Sequence, residues 1–463
     1  MPSFHYPDLE VVVLAAGKGT RMRSRLPKVL HPVLGKAMLS HVLDTVETLM
    51  PQAISVVIGH EADQIRTAMG DPGNVRWVKQ SEQLGTGHAV QCCAPVNEHC
   101  RDVLIVCGDT PLLQAQTLAN LVEQHRLADA SVSFLSAELP DATGYGRVLR
   151  DDSGAVLRIV EHKDANEAEQ AIQEVSSGIF CVRQADLFRL LDQVDNSNAQ
   201  QEYYLPDIIP LAIAAATKVQ AVLMDDADEM SGINNRRQLA DVEDTMQARI
   251  IYDWQMQGVT IMQRETVRIE ASVMLGRDCT VHAGCQLLGA TRIGDGCELG
   301  PYTVIRDGEL DDDCCVQAFS HIEKAIVANR AKIGPFARLR PEARLDEDVH
   351  IGNFVEIKKS VVGRGSKVNH LSYIGDTNMG ADCNVGAGSI TCNYDGANKH
   401  QTSIGDRVFI GSDTKLIAPV SVEDDATIGA GSIITANVSA GGLTLSARPE
   451  QRHKSKWRRP KKD

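Results

Sequence analysis

The sequence predicts two domains of different class: an α/β domain with a mostly parallel sheet, followed by a parallel β-helix. Two observations predict this. Strand-like and helical stretches alternate through the first half, which argues a sheet covered by helices. From about Val259 onward the aliphatic residues recur every six positions, a period that neither helices nor ordinary strands produce.

In the first half, strand-like runs fall at 10–15, 54–58, 75–78, 103–106 and 131–135, with helical stretches at 38–50, 61–69, 88–94 and 115–126. A hairpin-like stretch at 145–160 interrupts the pattern. In sheets of this kind ligands bind at the carboxyl ends of the strands. A helical segment at 235–257 follows, with Arg236, Arg237, Asp241, Glu243 and Asp244 along it. It reads equally as an exposed helix joining two bodies or as a capping helix of the first. The domains are therefore drawn as 1–235, a helical 236–257, and 258–463.

In the second half Ile293, Leu299 and Ile305 lie six apart, as do Ile333, Leu339, Leu345, Ile351 and Ile357, and Ile404, Ile410, Leu416, Val422, Ile428 and Ile434. Gly often follows the aliphatic residue. Each aliphatic side chain is expected to point inward, so that stacked coils bury a continuous column. Phase breaks at 307–315 and 393–401 are read as inserted loops.

Composition narrows the function. Apolar residues make up 43% and charged residues 23% of 463, which excludes disorder over most of the chain. The net charge of −14 argues against nucleic-acid binding. No apolar run approaches a membrane span or a signal core, and the twelve Cys contain no CxxC. The expectation is a cytoplasmic protein with mostly structural thiols, no membrane and no nucleic-acid partner.

Several stretches carry chemistry. The run Leu14-Ala15-Ala16-Gly17-Lys18-Gly19-Thr20-Arg21-Met22, followed by Leu26-Pro27-Lys28, lets backbone approach a phosphate while Arg21 and Lys28 neutralise it. Met22 stands where a dinucleotide fingerprint needs a third Gly, and the spacing is not a Walker loop. Cys107-Gly108-Asp109 ends a strand, where Asp109 is either a turn carboxylate or a ligand for a hard cation. Asn234 reads as a turn residue or a second ligand, and His88 as structural. In the second half Arg338, Arg340, Glu356, Lys358, His370, Tyr373 and the stretch 390–396 break the repeat grammar. A β-helix alone does not settle function, because the scaffold also serves for binding and oligomerisation.

The glycine-rich run with Leu26-Pro27-Lys28 resembles the signature loop of sugar-1-phosphate nucleotidyltransferases. Gln83-Leu84-Gly85-Thr86-Gly87-His88-Ala89, Gly144-Tyr145-Gly146-Arg147 and Glu161-His162-Lys163-Asp164 extend the likeness. With the β-helix, the whole chain resembles the bacterial family of bifunctional N-acetylglucosamine-1-phosphate uridyltransferases / glucosamine-1-phosphate acetyltransferases. The resemblance implies a Rossmann-like mixed sheet and a left-handed β-helix. It also implies uridylyl transfer from UTP to N-acetylglucosamine-1-phosphate with Mg²⁺, acetyl transfer from acetyl-CoA to glucosamine-1-phosphate, and a homotrimer.

The resemblance further assigns roles. Leu14, Ala15, Ala16, Gly17, Gln80, Gly85 and Thr86 fall to the nucleotide; Gly146, Glu161 and position 176 to the sugar; Asp109 and Asn234 to the metal; Cys107 and Gly108 line the same site. Lys28 and Arg21 offset charge on the transferring phosphates. In the β-helix His370 is the general base. An imidazole suits that task at neutral pH. Glu356 reads either as the carboxylate that orients it or as a solvated surface residue. Arg340, Lys358, Tyr373 and Asn384 bind the sugar phosphate, Asn393 and Tyr394 approach the acetyl and sugar groups, and Ala387, Ser412 and Ala430 line the acetyl-CoA groove. Three departures stand out. Ser176-Ser177-Gly178 replaces the family's Asn-Thr-Gly or Asn-Ser-Gly, Cys107 replaces a Tyr, and the tail reads Ser446-Ala447-Arg448-Pro449 where the family has Ser-Arg-x-Pro. Ala447 and Arg448 are thus both candidates for the coenzyme position.

Overall fold

A computed structural model describes residues 4–70, 73–94, 99–447 and 451–459. The chain divides into two compact units, Met1–Met246 and Gln247–Asp463. The division falls inside the helix Arg236–Met256. Within the first unit, Glu243 near the middle of that helix accepts from Leu34 N at 2.9 Å. Within the second, Ile251 joins the β-helix core and Trp254 packs against it.

The first unit is built on a sheet of nine strands: β1 (Leu9–Ala15), β2 (Ala53–Ile58), β3 (Val75–Lys79), β4 (Asp102–Cys107), β5 (Val132–Glu138), β6 (Arg147–Arg150), β7 (Val156–Val160), β8 (Glu174–Arg183) and β9 (Val219–Leu223). The order is β9-β5-β8-β4-β1-β2-β3, with the β6–β7 hairpin attached to β8. β1 pairs parallel with β2 and β4, and β5 with β9, as the alternation predicts. β8 lies antiparallel between β4 and β5 and makes the sheet mixed. Its register slips between Ser176 and Phe180, where Gly178 adopts a left-handed φ of 78°. β1 and β4 are buried on both faces, hence their runs of Val, Leu and Ile.

The second unit consists of parallel strands stacked in three sheets of eleven, ten and nine strands. The period-six aliphatic residues Ile293, Leu299, Ile305, Ile333, Leu339, Ile351, Ile357, Ile410, Leu416 and Ile428 all lie in one continuous core. Burial of each stabilises the stack by about 1.5–3 kcal/mol. Small residues fill the interior corners, and their polar atoms bond backbone carbonyls: Thr291 Oγ1 to Leu288 O at 2.7 Å, Ser366 Oγ to Gly380 O at 2.8 Å. Cys279, Cys297 and Cys314 occupy equivalent corners and donate to Gly294 O, Asp311 O and Ala328 O. All twelve thiols are free, and these serve as small core residues. At the outer corners Asp carboxylates cap backbone N–H groups of the preceding coil, Asp295 to Arg277 and Asp312 to Asp295 among them. Such capping contributes to the acidity of the chain.

One expected loop is corrected. Gln286 pairs with Val304 but Arg292 with Glu309, so the phase break after Asp307 is a coil shortened by one residue, not an insertion. The break at 393–401 is an insertion: Thr377 pairs with Thr402, and the intervening segment carries an antiparallel bridge between Tyr394 and Lys399. Among the described residues, no helix is long and apolar enough to cross a membrane.

Candidate functional site

In the first unit a cleft of about 440 Å³ opens at the carboxyl ends of β1, β3 and β4. Leu14, Ala15, Ala16 and Gly17 line it as β1 runs into its loop, Gln80 follows β3, and Cys107 and Asp109 close β4. Gly85, Thr86 and Lys28 complete the wall. A Cβ at Gly85 (φ 112°) would sit 2.5 Å from Tyr203 O, so only Gly permits this loop to close. Thr86 Oγ1 anchors the same loop by accepting from Leu205 N at 3.0 Å. Gly108 N donates to Leu14 O at 2.9 Å and joins the two strand ends.

Charged and polar groups converge at one point of this wall. Lys28 Nζ bonds Asp109 Oδ2 and also Asn234 Oδ1, the latter at 2.8 Å, and Arg21 Nη2 donates to the same Asn234 oxygen at 3.0 Å. Asn234 is far away in sequence and arrives through Ile233 N, which donates to Asp109 O at 3.1 Å. One carboxylate and one amide oxygen thus face a common centre beside two cations. Few protein oxygens with room for phosphate oxygens and water suit a small hard cation such as Mg²⁺.

The residues expected at the sugar form a second group. Ser176 N donates to Gly146 O at 2.9 Å. A Cβ on Gly146 would lie 3.4 Å from Glu161 Oε1, so those two are also neighbours. Ser176 Oγ accepts from Gly178 N at 3.3 Å, turning its hydroxyl onto its own bulge. Cys107 Sγ points to Gly178 O at 3.9 Å, and burial, reinforced by Asp109, pushes the thiol up to about 12. Arg147 of the Gly144–Arg147 motif turns away from the cleft and braces Ile172 O and Tyr145 O.

Burial raises the Glu161 carboxyl, and Asp164, Asp207 and Glu202 raise it further. Asp207 belongs to the same acidic group: burial, Asp195 and Asp164 lift it to about 6. A carboxyl with a raised folded pKa binds its proton more tightly in the native state, so native stability falls as pH climbs from about 4 to about 6. Asp207→Asn is therefore expected to raise the unfolding midpoint of this unit at pH 7.5. After discounting for solvent screening the gain is about 1 kcal/mol, shrinking to nothing below pH 4. Thermal melts at the two pH values check it.

In the second unit the candidates fall on adjacent coils. Arg340 Nη1 donates to Glu356 Oε1 at 2.8 Å. Glu356 was expected behind His370. Its carboxylate goes instead to Arg340, because Glu356 stands in register with Arg338 and Tyr373 whereas His370 stands in another sheet, in register with Asn353. His370 is exposed, and Ser372 Oγ fixes its backbone carbonyl at 2.8 Å. Asn384 follows in the same sheet as His370, in register with Lys367. The Tyr373 ring lies where a side chain at Gly375 would be, which requires Gly there.

Asp376, which the sequence reading did not single out, ties the group together. It accepts from Lys358 Nζ at 3.1 Å and from Asn393 Nδ2, and Asn393 Nδ2 also reaches Tyr373 Oη at 3.4 Å. Burial opposes ionisation of Asp376, but these bonds outweigh it and hold the carboxyl below its ordinary value. Lys399, from the inserted segment, faces Lys358, which lowers the pKa of Lys399. Tyr394 is exposed and donates to Gly396 O at 2.6 Å. Ala387, Ser412 and Ala430 form a column at one corner of three successive coils, each one residue beyond Gly386, Gly411 and Gly429. Ala447 is exposed; Arg448 lies outside the described residues.

Comparison with known proteins agrees with this division. Residues 11–174 match the model of the MobA-like NTP transferase domain. Residues 272–307 match the bacterial transferase hexapeptide (six repeats), and 401–436 the hexapeptide repeat of succinyl-transferase. Fold and site together define a nucleotidyltransferase joined to a hexapeptide-repeat transferase. A relative from Alkalilimnicola ehrlichii named bifunctional protein GlmU is 48% identical over 98% of this chain and 96% of its own. Relatives of that name from Marinobacter nauticus and Stutzerimonas stutzeri are each 46% identical, over 98% of this chain and 99% and 100% of theirs. The chain belongs to the family of bifunctional GlmU proteins.

Proposed function

We infer that the chain makes UDP-N-acetylglucosamine in two steps. The β-helix transfers acetyl from acetyl-CoA to glucosamine-1-phosphate. The α/β unit then transfers uridylyl from UTP to N-acetylglucosamine-1-phosphate and releases pyrophosphate. The observation that carries the reading is the convergence of Lys28, Arg21, Asp109 and Asn234 at the glycine-rich loop, on a chain that also carries a hexapeptide β-helix.

In uridylyl transfer a phosphate oxygen of the sugar attacks the α-phosphorus of UTP in line, and the β,γ-phosphates leave. Such chemistry needs positioning and charge stabilisation rather than covalent help. Leu14 to Gly17 cradle the nucleotide, Gln80, Gly85 and Thr86 hold its base end, and Gly146, Glu161 and Ser176 seat the sugar. Lys28 and Arg21 offset the phosphate charge. Asp109 and Asn234 would hold Mg²⁺, which supplies charge compensation to the phosphate oxygens when bound.

In acetyl transfer His370 takes a proton from the sugar amine as the nitrogen attacks the thioester carbonyl, and coenzyme A leaves as the thiol. Arg340, held by Glu356, and Lys358, held by Asp376, bind the sugar phosphate. Asn384 and Tyr373 flank it, Asn393 and Tyr394 face the acetyl group, and Ala387, Ser412 and Ala430 leave room for the pantetheine arm. The protein acts in the cytoplasm as a homotrimer, with acetyl sites shared between subunits. Asp376→Asn is expected to raise the KM for glucosamine-1-phosphate about tenfold with little change in the KM for acetyl-CoA, read from steady-state kinetics.

The test is one time course with glucosamine-1-phosphate, acetyl-CoA, UTP and Mg²⁺, following thiol and pyrophosphate together. Thiol followed by pyrophosphate supports both steps. Thiol without pyrophosphate overturns the uridylyl assignment. Pyrophosphate only when N-acetylglucosamine-1-phosphate is supplied reduces the β-helix to a scaffold.

A further inference from the structure

Gln80 is 3% exposed and lines the nucleotide cleft. Its amide nitrogen, Nε2, makes two contacts: it donates to Gly85 O at 3.1 Å and lies 3.1 Å from His88 Nδ1. A backbone carbonyl can only accept, so the NH₂ end of the amide must face Gly85. His88 Nδ1, contacted by the same nitrogen, must then be the ring nitrogen without a proton. The proton sits on Nε2, which points to Cys92 Sγ at 3.8 Å. Both hydrogens of the amide are thereby spoken for. The amide oxygen takes no hydrogen bond from the described residues and is left for a ligand.

We propose that His88 is a positioning residue for base specificity: it locks the Gln80 amide with only its oxygen available to the base. An oxygen fixed in this way accepts from a base edge that carries a ring N–H, as uracil does at N3. It repels the bare N3 lone pair of cytosine. Without His88, Gly85 O alone holds the amide, and a rotated amide presents its NH₂ to the cleft and accommodates cytosine. The inference rests on the uridylyl-transfer reading above and adds the residue that sets its selectivity. His88 sits on the short helix Thr86–Gln91, whose Thr86 and Ala89 line the cleft, so the lock is built on the wall that receives the base.

The test compares kcat/KM for UTP and for CTP, with N-acetylglucosamine-1-phosphate as acceptor, in the parent, His88→Leu and His88→Asn. Leu removes the acceptor; an Asn oxygen reproduces it at nearly the same reach. The expected result is that the UTP/CTP ratio falls about tenfold in His88→Leu and returns toward the parent value in His88→Asn. Unfolding midpoints are measured alongside, and His88→Ala replaces the Leu variant if that one is unstable. Equal losses on both nucleotides, or an unchanged ratio, would overturn the proposal and leave His88 a packing residue. A parent that transfers nothing from UTP while releasing thiol from acetyl-CoA would overturn the uridylyl reading itself, and this inference with it.

Discussion

Lys28→Met is expected to lower kcat for uridylyl transfer about 10²–10³-fold, the usual cost of removing one fixed donor aimed at developing charge. The ammonium is buried to 13% exposure and bonds two oxygens at once, Asp109 Oδ2 and Asn234 Oδ1. Met keeps the length and the packing of the stem against Gly19, where a Cβ would lie 2.5 Å from Lys28 Cβ. What it removes is charge. Asp109 and Asn234 then lose the ammonium that competes for their oxygens, so the Mg²⁺ concentration for half-maximal rate should fall or stay level while the rate drops. The rate of pyrophosphate release, titrated with Mg²⁺, checks both. Loss of rate below tenfold would remove Lys28 from the reaction.

His370→Ala is expected to lower acetyl transfer by about 10²–10⁴-fold, the range for a positioned general base, with the KM for glucosamine-1-phosphate changed far less. In the proposed reading Arg340 and Lys358 bind the sugar phosphate, and their own partners Glu356 and Asp376 do not involve His370. Thiol release from acetyl-CoA measures it. A matching rise in KM with kcat preserved would instead make His370 a binding residue.

The β-helix was legible because its rule is local: every sixth residue faces inward, and the positions picked from the period lie in one core. The parallel part of the first sheet was legible for the same reason. β8 was not, since Ser176-Ser177-Gly178 interrupts its apolar run and antiparallel insertion between β4 and β5 depends on strands far away in sequence. Arg147 carries no mark that separates a brace from a ligand. For the β-helix site part of the signal lies in the coil period. A coil returns after 17 or 18 residues, which sets Lys358 beside Asp376, while Arg340 reaches Glu356 diagonally, two positions short of its own register partner. The coil period leads from Lys358 to Asp376, whereas the diagonal Arg340–Glu356 bond does not follow from it.

The coil-on-coil stacking has a consequence for how damage spreads. Each turn of the β-helix bonds only the turns before and after it, so its stability is close to a sum of neighbouring terms. A cavity cut at Ile293 weakens its own coil and the two adjoining, while the coils bearing Lys358, His370 and Asn393 keep their register. Tolerance to substitution therefore rises with distance from these coils, measured in turns of the solenoid rather than in residues, and the early coils from Val259 onward are where the family can drift in sequence without touching its chemistry.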